Sequence, residues 1–158
     1  MIKYNIENAH PSVVKNDPFV SGYLRERFNL DHLEKELRKS EPFPHILIAI
    51  SNNKTVGMVL LYPHIDHDLV CPTDIPKNGI WVHRLHVDKK HRSQGIGKLL
   101  MTEAENYAAT NGETDLWLDT IQASKYYEDQ MNGYEYITSI PYKENTTRVY
   151  RKQLTPKV

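Results

Sequence analysis

A mixed α/β or α+β domain built around one sheet is predicted by three observations. Apolar runs of strand length recur along the chain, at residues 2–6, 45–51, 55–62, 79–87, 114–121, 134–140 and 146–154. A longer stretch from Ile96 repeats its apolar residues at helical spacing. The chain of 158 residues fits one domain, residues 1–158, that is large enough for a real core. The order β, α (one or two), β, β, β, α, β, α, β, β places helices around a single sheet.

Each element has its own warrant. Ile2, Tyr4 and Ile6 alternate as in a strand. HPSVVKNDP holds two prolines and reads as a loop. From Phe19 to Arg38, Tyr23, Leu24, Phe28, Leu30, Leu33 and Leu37 recur as in one or two short helices, with Asp31 as N-cap of the second. HILIAIS, the turn SNNK and TVGMVLLY form a hairpin. A polar loop, 63–79, carries three prolines and is long enough to suggest function. GIWVHRLHV is a strand with Trp81, His83, Leu85 and Val87 on one face. Leu99, Leu100, Ala104, Tyr107 and Ala108 draw one face of the helix from Ile96, which Asn111-Gly112 ends. TDLWLDTI is a strand, ASKYYEDQM a short helix, and YEYITSI and TTRVYRKQL are the closing strands.

Composition bounds the function. Lys plus Arg and Asp plus Glu both number 20, which argues against a broad polyanion-binding surface and so against nucleic acid. No apolar run reaches the roughly 20 residues that span a bilayer. The first ten residues lack the apolar core of a signal peptide. The single cysteine, Cys71, forms no internal disulfide and fits a reducing compartment. The expectation is a soluble cytoplasmic protein without membrane partners.

The stretch HRSQGIGKLL, residues 91–100, carries the chemistry. A strand precedes it and a helix follows. The first N–H groups of a helix lack internal partners and carry partial positive charge. Gly95 and Gly97 have no Cβ, so an anion can approach the backbone, and Arg92 and Lys98 add charge nearby. A plain strand-to-helix turn needing glycine is the bland alternative. The dinucleotide fingerprint is excluded, because its third glycine would fall at Leu100. A Walker P-loop is excluded by spacing and by the missing Ser or Thr after Lys98.

Arg92, Ser93, Gln94, Gly95, Ile96 and Gly97 resemble the R/Q-x-x-G-x-G/A signature of the GNAT superfamily of N-acetyltransferases. RLHVDKKH before them is similar to that family's fourth strand and basic turn. Downstream, Ala123, Tyr126, Tyr127, Gly133 and Tyr134 resemble its second signature. The resemblance covers roughly residues 55 to 140. It implies a mostly antiparallel mixed sheet of six to seven strands, splayed at strands four and five and flanked by about four helices.

The resemblance implies acetyl-CoA as the acyl donor. Its pyrophosphate would meet the backbone amides from Gln94 to Lys98, Ile96 included. Its pantetheine arm would pair with Leu85, His86 and Val87 by strand addition. Lys89, Lys90 or Arg92 would meet the 3′-phosphate, or else be solvated charges. A lysine-like amine costs about 4.6 kcal/mol to deprotonate at pH 7. A base, a dry pocket or a proton wire must supply that. The oxyanion formed on attack would be met by the N–H of Leu85 or His86. The resemblance makes Tyr127 the acid that protonates the departing thiolate.

The base is less sharply marked. Trp81 stands where several relatives carry Glu. His83 is the residue chosen, with Asp119 and a water chain as alternatives. Thr120 or Gln122 stands near a pantetheine-binding Asn of many members, and the spacing from Tyr127 to Gly133 is longer than the common form.

The acceptor is a primary amine of a small molecule or peptide. The 63–79 loop would flank it, with His64, Asp66, His67, Asp68 and Asp74 as an acidic rim suited to a cation. No metal site is expected, and a homodimer is left open. The other reading is a non-catalytic acyl-CoA-binding sensor, which would keep the glycines but need no acid. A third is an interaction domain that binds no CoA.

Overall fold

The computed structural model describes residues 4–40, 43–65 and 69–155. Seven strands, β1 (Asn5–Asn8), β2 (His45–Ser51), β3 (Lys54–His64), β4 (Asn78–Val87), β5 (Asp115–Thr120), β6 (Tyr134–Tyr142) and β7 (Asn145–Gln153), form one sheet in the order β1-β2-β3-β4-β5-β7-β6. Among the described residues there are five α-helices: α1 (Pro11–Asn16), α2 (Pro18–Arg25), α3 (Leu30–Leu37), α4 (Ile96–Thr110) and α5 (Ser124–Asp129). The sheet is the mixed, mostly antiparallel one expected, and the helices number one more than expected. By contact density the chain divides into two units, Met1–Leu61 with Arg84–Ala104, and Tyr62–His83 with Glu105–Val158.

In the first unit the extra helix comes from HPSVVKNDP, which is not a loop. Pro11 and Pro18 each stand in the first turn of a helix, where a missing N–H costs nothing and the fixed φ helps. Asp17 Oδ1 caps α2 by accepting from Phe19 N–H (2.9 Å) and Val20 N–H (3.1 Å). Its other oxygen accepts the Thr55 hydroxyl of β3 at 2.7 Å. The cap of α3 is Asn29, which accepts from His32 N–H at 3.1 Å. Asp31, expected as the cap, lies in the first turn and pairs with Lys15 at 2.6 Å. Among the described residues the first strand runs Asn5–Asn8; Ile2, where the sequence places its start, lies outside them. It pairs with β2 from Asn5–Ile50 to Asn8–Leu47. The β2–β3 hairpin turns on Asn52 and Asn53, at φ 50° and 61°, the signs a tight hairpin turn demands.

In the second unit, β4 and β5 run parallel through three pairs, Ile80–Leu116, Trp81–Trp117 and Val82–Leu118. β5 continues antiparallel to β7, and β7 to β6. Trp81, Trp117, Ile65, Leu69, Ile75 and Val149 share one buried cluster. Trp81 is wholly buried and stacks on Trp117 at 5.4 Å. Its Nε1 has no hydrogen-bond partner among the described residues. An unmet donor costs about 1–3 kcal/mol. Burying an indole returns roughly 4–6 kcal/mol, so the ring stays in. No helix among the described residues is long and apolar enough to cross a membrane.

Candidate functional site

In the first unit the candidate anion cradle is made of main chain. After β4, Asp88 N–H donates to Val56 O at 2.7 Å, and the His91 ring meets the Asp88 carboxylate at 2.9 Å. A short 3-10 turn, Lys89–His91, lies between them. The chain then extends through Arg92, whose Nε–H returns to Val87 O at 3.1 Å. Ser93 and Gly95 both take positive φ, 64° and 84°. Gly95 O accepts the first bond of α4, from Leu99 N–H at 3.1 Å. The amides of Ile96, Gly97 and Lys98 therefore have no carbonyl four residues back inside the helix. A Cβ on Gly95 would meet nothing within 4 Å, so the approach is open. The Tyr4 hydroxyl donates to Gln94 Oε1 and holds that side chain. Gln94, Lys98, Ser93 and Arg92 are exposed, and Ile96 is buried beneath them as the anchor of the helix start.

Gly57 of β3 is a positioning residue that sequence reasoning passed over. A Cβ there would lie 3.1 Å from both Ile96 Cγ2 and Leu100 Cδ1, and 3.4 Å from His86 O. A Cβ there would make the Ile96 and Leu100 side chains give by a few tenths of an ångström. A lone glycine inside the apolar run TVGMVLLY was the available signal.

Leu85, His86 and Val87 continue β4 beyond Val82, the last residue paired with β5. All three are half-buried. The His86 imidazole stacks on two rings of α2, Tyr23 at 4.3 Å and Phe19 at 5.2 Å, each tilted by 18°. Arg27 lies over Tyr23 at 4.3 Å. Burial, then Arg92 and Arg27, lowers the His86 pKa below its ordinary value, while Asp88 opposes them. The imidazole is therefore neutral at pH 7. The aromatic spacing Phe19 to Tyr23 is visible in sequence, but its target is not.

The second unit holds the candidate catalytic side chains. Tyr127 sits on α5, only 5% exposed. Its ring packs against Tyr126, Tyr134 and Tyr150 at centroid distances of 5.2, 5.7 and 6.2 Å. Burial, then Tyr126 and Asp119, raises its pKa well above the ordinary phenol range. The hydroxyl thus keeps its proton at any physiological pH. Tyr126 is shifted upward by burial as well. The hydroxyl of Tyr134 donates to Glu105 Oε2 at 2.8 Å, and Lys152 meets Glu105 Oε1 at 2.8 Å. Tyr150 donates to Glu128 at 2.6 Å. Thr120 Oγ1 accepts from Ala123 N–H at 2.9 Å and so shapes the entry to α5. Thr147 donates to Asp119 Oδ2 at 2.9 Å, which spends part of that carboxylate's acceptor capacity.

His83 lies on the next inward position of β4 after Trp81. Its Nε2 is 2.9 Å from His64 O, and its ring lies 4.2 Å from Tyr62 and 5.9 Å from His64. His64 Nδ1 in turn meets Ile65 O at 2.8 Å. Of the acceptor loop, Asp66, His67 and Asp68 lie outside the described residues. Cys71 donates to Ile75 O at 3.3 Å, and burial raises its thiol pKa. Among the described residues no group of His, Cys, Asp and Glu has metal-holding geometry.

A mixed seven-stranded sheet with a parallel β4–β5 pair and a glycine-marked start to α4 define a class of α/β fold, and the comparisons name the family. The profile of the Acetyltransferase (GNAT) family matches residues 13–134, and the chain belongs to that family. It is therefore an acyltransferase. Similar solved structures include an acetyltransferase of Bacillus anthracis in complex with acetyl coenzyme A, assigned to streptothricin. It is 18% identical, with a TM-score of 0.73, 97% of this chain and 99% of that one covered. A GNAT acetyltransferase of Streptococcus pneumoniae is 18% identical at TM-score 0.72, with 97% and 100% covered. Ard1 of Thermoplasma volcanium is 12% identical at TM-score 0.69, with 96% and 98% covered. At these identities the likeness is one of fold.

Proposed function

We propose that the protein is a single-domain, cytoplasmic, acetyl-CoA-dependent N-acetyltransferase. It moves the acetyl group to a primary amine of a small molecule or peptide by direct attack in a ternary complex. One observation carries the reading. Gly95, at φ 84° with open space where a Cβ would stand, opens α4, whose first amides at Ile96, Gly97 and Lys98 have no carbonyl four residues back inside the helix. That is the chemistry a diphosphate requires. The residues fit coenzyme A: main-chain donors for the diphosphate, Arg92 and Lys98 for its charge, and the edge of Leu85 to Val87 for an amide-bearing arm.

The remaining roles follow from chemistry. The attacking amine must lose a proton, and His83 is the base that takes it. The amine nitrogen bonds to the thioester carbon while the C–S bond breaks. The departing sulfur takes a proton from Tyr127, whose burial keeps the phenol protonated. An N–H of β4, from Leu85 or His86, meets the developing oxyanion.

Thiol release measured with acetyl-CoA and a panel of amines tests the reading. An enzyme releases thiol in the presence of its amine. Stabilisation by CoA without thiol release, at about 2.7 kcal/mol for a hundredfold excess over Kd, would make it an acyl-CoA-binding sensor. No stabilisation at all would remove the cofactor from the account.

A further inference from the structure

We propose that Glu128 is a positioning residue for Tyr127: by accepting the Tyr150 hydroxyl it ties α5 to β7 and so fixes where the Tyr127 phenol points. This rests on the reading of Tyr127 as the acid and adds how that acid is aimed. A general acid works only within hydrogen-bond reach of the atom it protonates. Among the described residues no hydrogen bond orients the Tyr127 hydroxyl. Its direction is therefore set by the backbone of α5 and by the rings around it, Tyr126, Tyr134 and Tyr150.

α5 is a weak mount by itself. It has six residues, and its N-cap position, Ala123, supplies no side-chain cap. A helix this short does not hold in water without tertiary contacts. Glu128, the residue after Tyr127, supplies one. Its Oε1 accepts the Tyr150 hydroxyl at 2.6 Å, the short length of a hydroxyl donating to a carboxylate. Arg148 of β7 lies 3.4 Å from the same oxygen. Tyr150 is a rigid post: it is wholly buried, and in β7 it stands between Leu118 of β5 and Tyr136 of β6. The links close a ring. Tyr127 leads to Glu128 through the chain, Glu128 holds the Tyr150 hydroxyl, and the Tyr150 ring lies 6.2 Å from Tyr127 at 34°. Rotation of α5 about its axis breaks that ring. Tyr134, 5.7 Å from Tyr127 and held by Glu105 at 2.8 Å, makes a second fixed wall. The Glu128 side chain is 42% exposed, so its removal takes away the tie and little packing.

The test is steady-state kinetics of the full chain with acetyl-CoA and an amine that supports thiol release. Glu128→Ala is expected to lower kcat by about tenfold, with KM for acetyl-CoA within about twofold. Glu128→Gln keeps an acceptor for the phenol and is expected to stay within about twofold of the unaltered kcat. Tyr150→Phe removes only the donor, keeps the ring in the core, and is expected to match Glu128→Ala. The two changes together are expected to lose no more than either alone. In a Tyr127→Phe background, Glu128→Ala is expected to cost nothing further. Full kcat in either Glu128→Ala or Tyr150→Phe overturns the inference, as does a loss that persists undiminished in the Tyr127→Phe background. If Tyr127→Phe itself retains full kcat, or no amine releases thiol, the function reading is wrong at that point and the positioning role falls with it.

Discussion

Under the proposed function, the two units of this acyltransferase serve recognition and reaction with different materials. In the first, the proposed surface is main chain: the amides of Ile96, Gly97 and Lys98, and the strand edge at Leu85 to Val87. In the second, the proposed groups are side chains: the Tyr127 phenol and the His83 imidazole. Main-chain recognition depends on what is missing, a Cβ at Gly95 and another at Gly57. Side-chain chemistry depends on what surrounds the group, the three tyrosines around Tyr127 and the carbonyl of His64. The first kind of site fails by addition, and the second by subtraction.

Subtracting one oxygen should give the largest effect. Tyr127→Phe is expected to lower kcat by about a hundredfold or more, within the range for a lost general acid. Calorimetry should find the Kd for CoA changed by less than about twofold. A comparable loss in both would show that the hydroxyl is structural, and that the two units do not divide the work as stated. Addition comes next. Gly97→Glu is expected to weaken CoA binding by at least about tenfold, or about 1.4 kcal/mol, because the side chain fills the approach and opposes the diphosphate's charge. Unchanged affinity in the same titration would remove the helix start from the cofactor site.

Gly57→Val adds bulk one layer below. The contacts at 3.1 Å to Ile96 and Leu100 leave no room for it. Overpacking of this kind costs about 1–3 kcal/mol. Chemical denaturation should show that loss, and CoA affinity should fall with it, because the start of α4 is displaced. The smallest effect concerns His86. Its folded pKa is depressed, first by burial and then by Arg92 and Arg27. Near neutrality neither folded nor unfolded chain charges it. As pH falls through the ordinary value of 6.5, the unfolded chain takes up the proton first, and stability declines until the folded pKa is passed. His86→Phe keeps a ring between the α2 aromatics and is expected to flatten that decline in urea melts from pH 7.5 to 5. His45, whose pKa is also lowered by burial, remains as the background slope.

What the sequence disclosed follows the same division. β2 was legible to the residue, because HILIAIS is an unbroken apolar run bounded by polar turns. The turn into α4 was legible because its glycines fall between an apolar strand run and a run of helical spacing. Local rules failed where one residue type serves two purposes. Pro11 and Pro18 read locally as breakers, although proline also opens helices. Asp31 satisfied the capping rule, but Asn29 sits earlier and took the position. Tertiary facts were invisible. Nothing local says that Gly57 lies under Ile96, that His86 stacks on Tyr23, or that Trp81 stacks on Trp117 in the core.

Asp17 bears on how such an enzyme could be redirected. One carboxylate opens α2 and, through Thr55, moors it to β3. The helix is thus berthed independently of its outward residues. Gly22, Arg25 and Glu26 are exposed, and a side chain built at Gly22 would touch nothing. Those three positions can be rewritten as a free alphabet while the aromatic face of the helix stays in register.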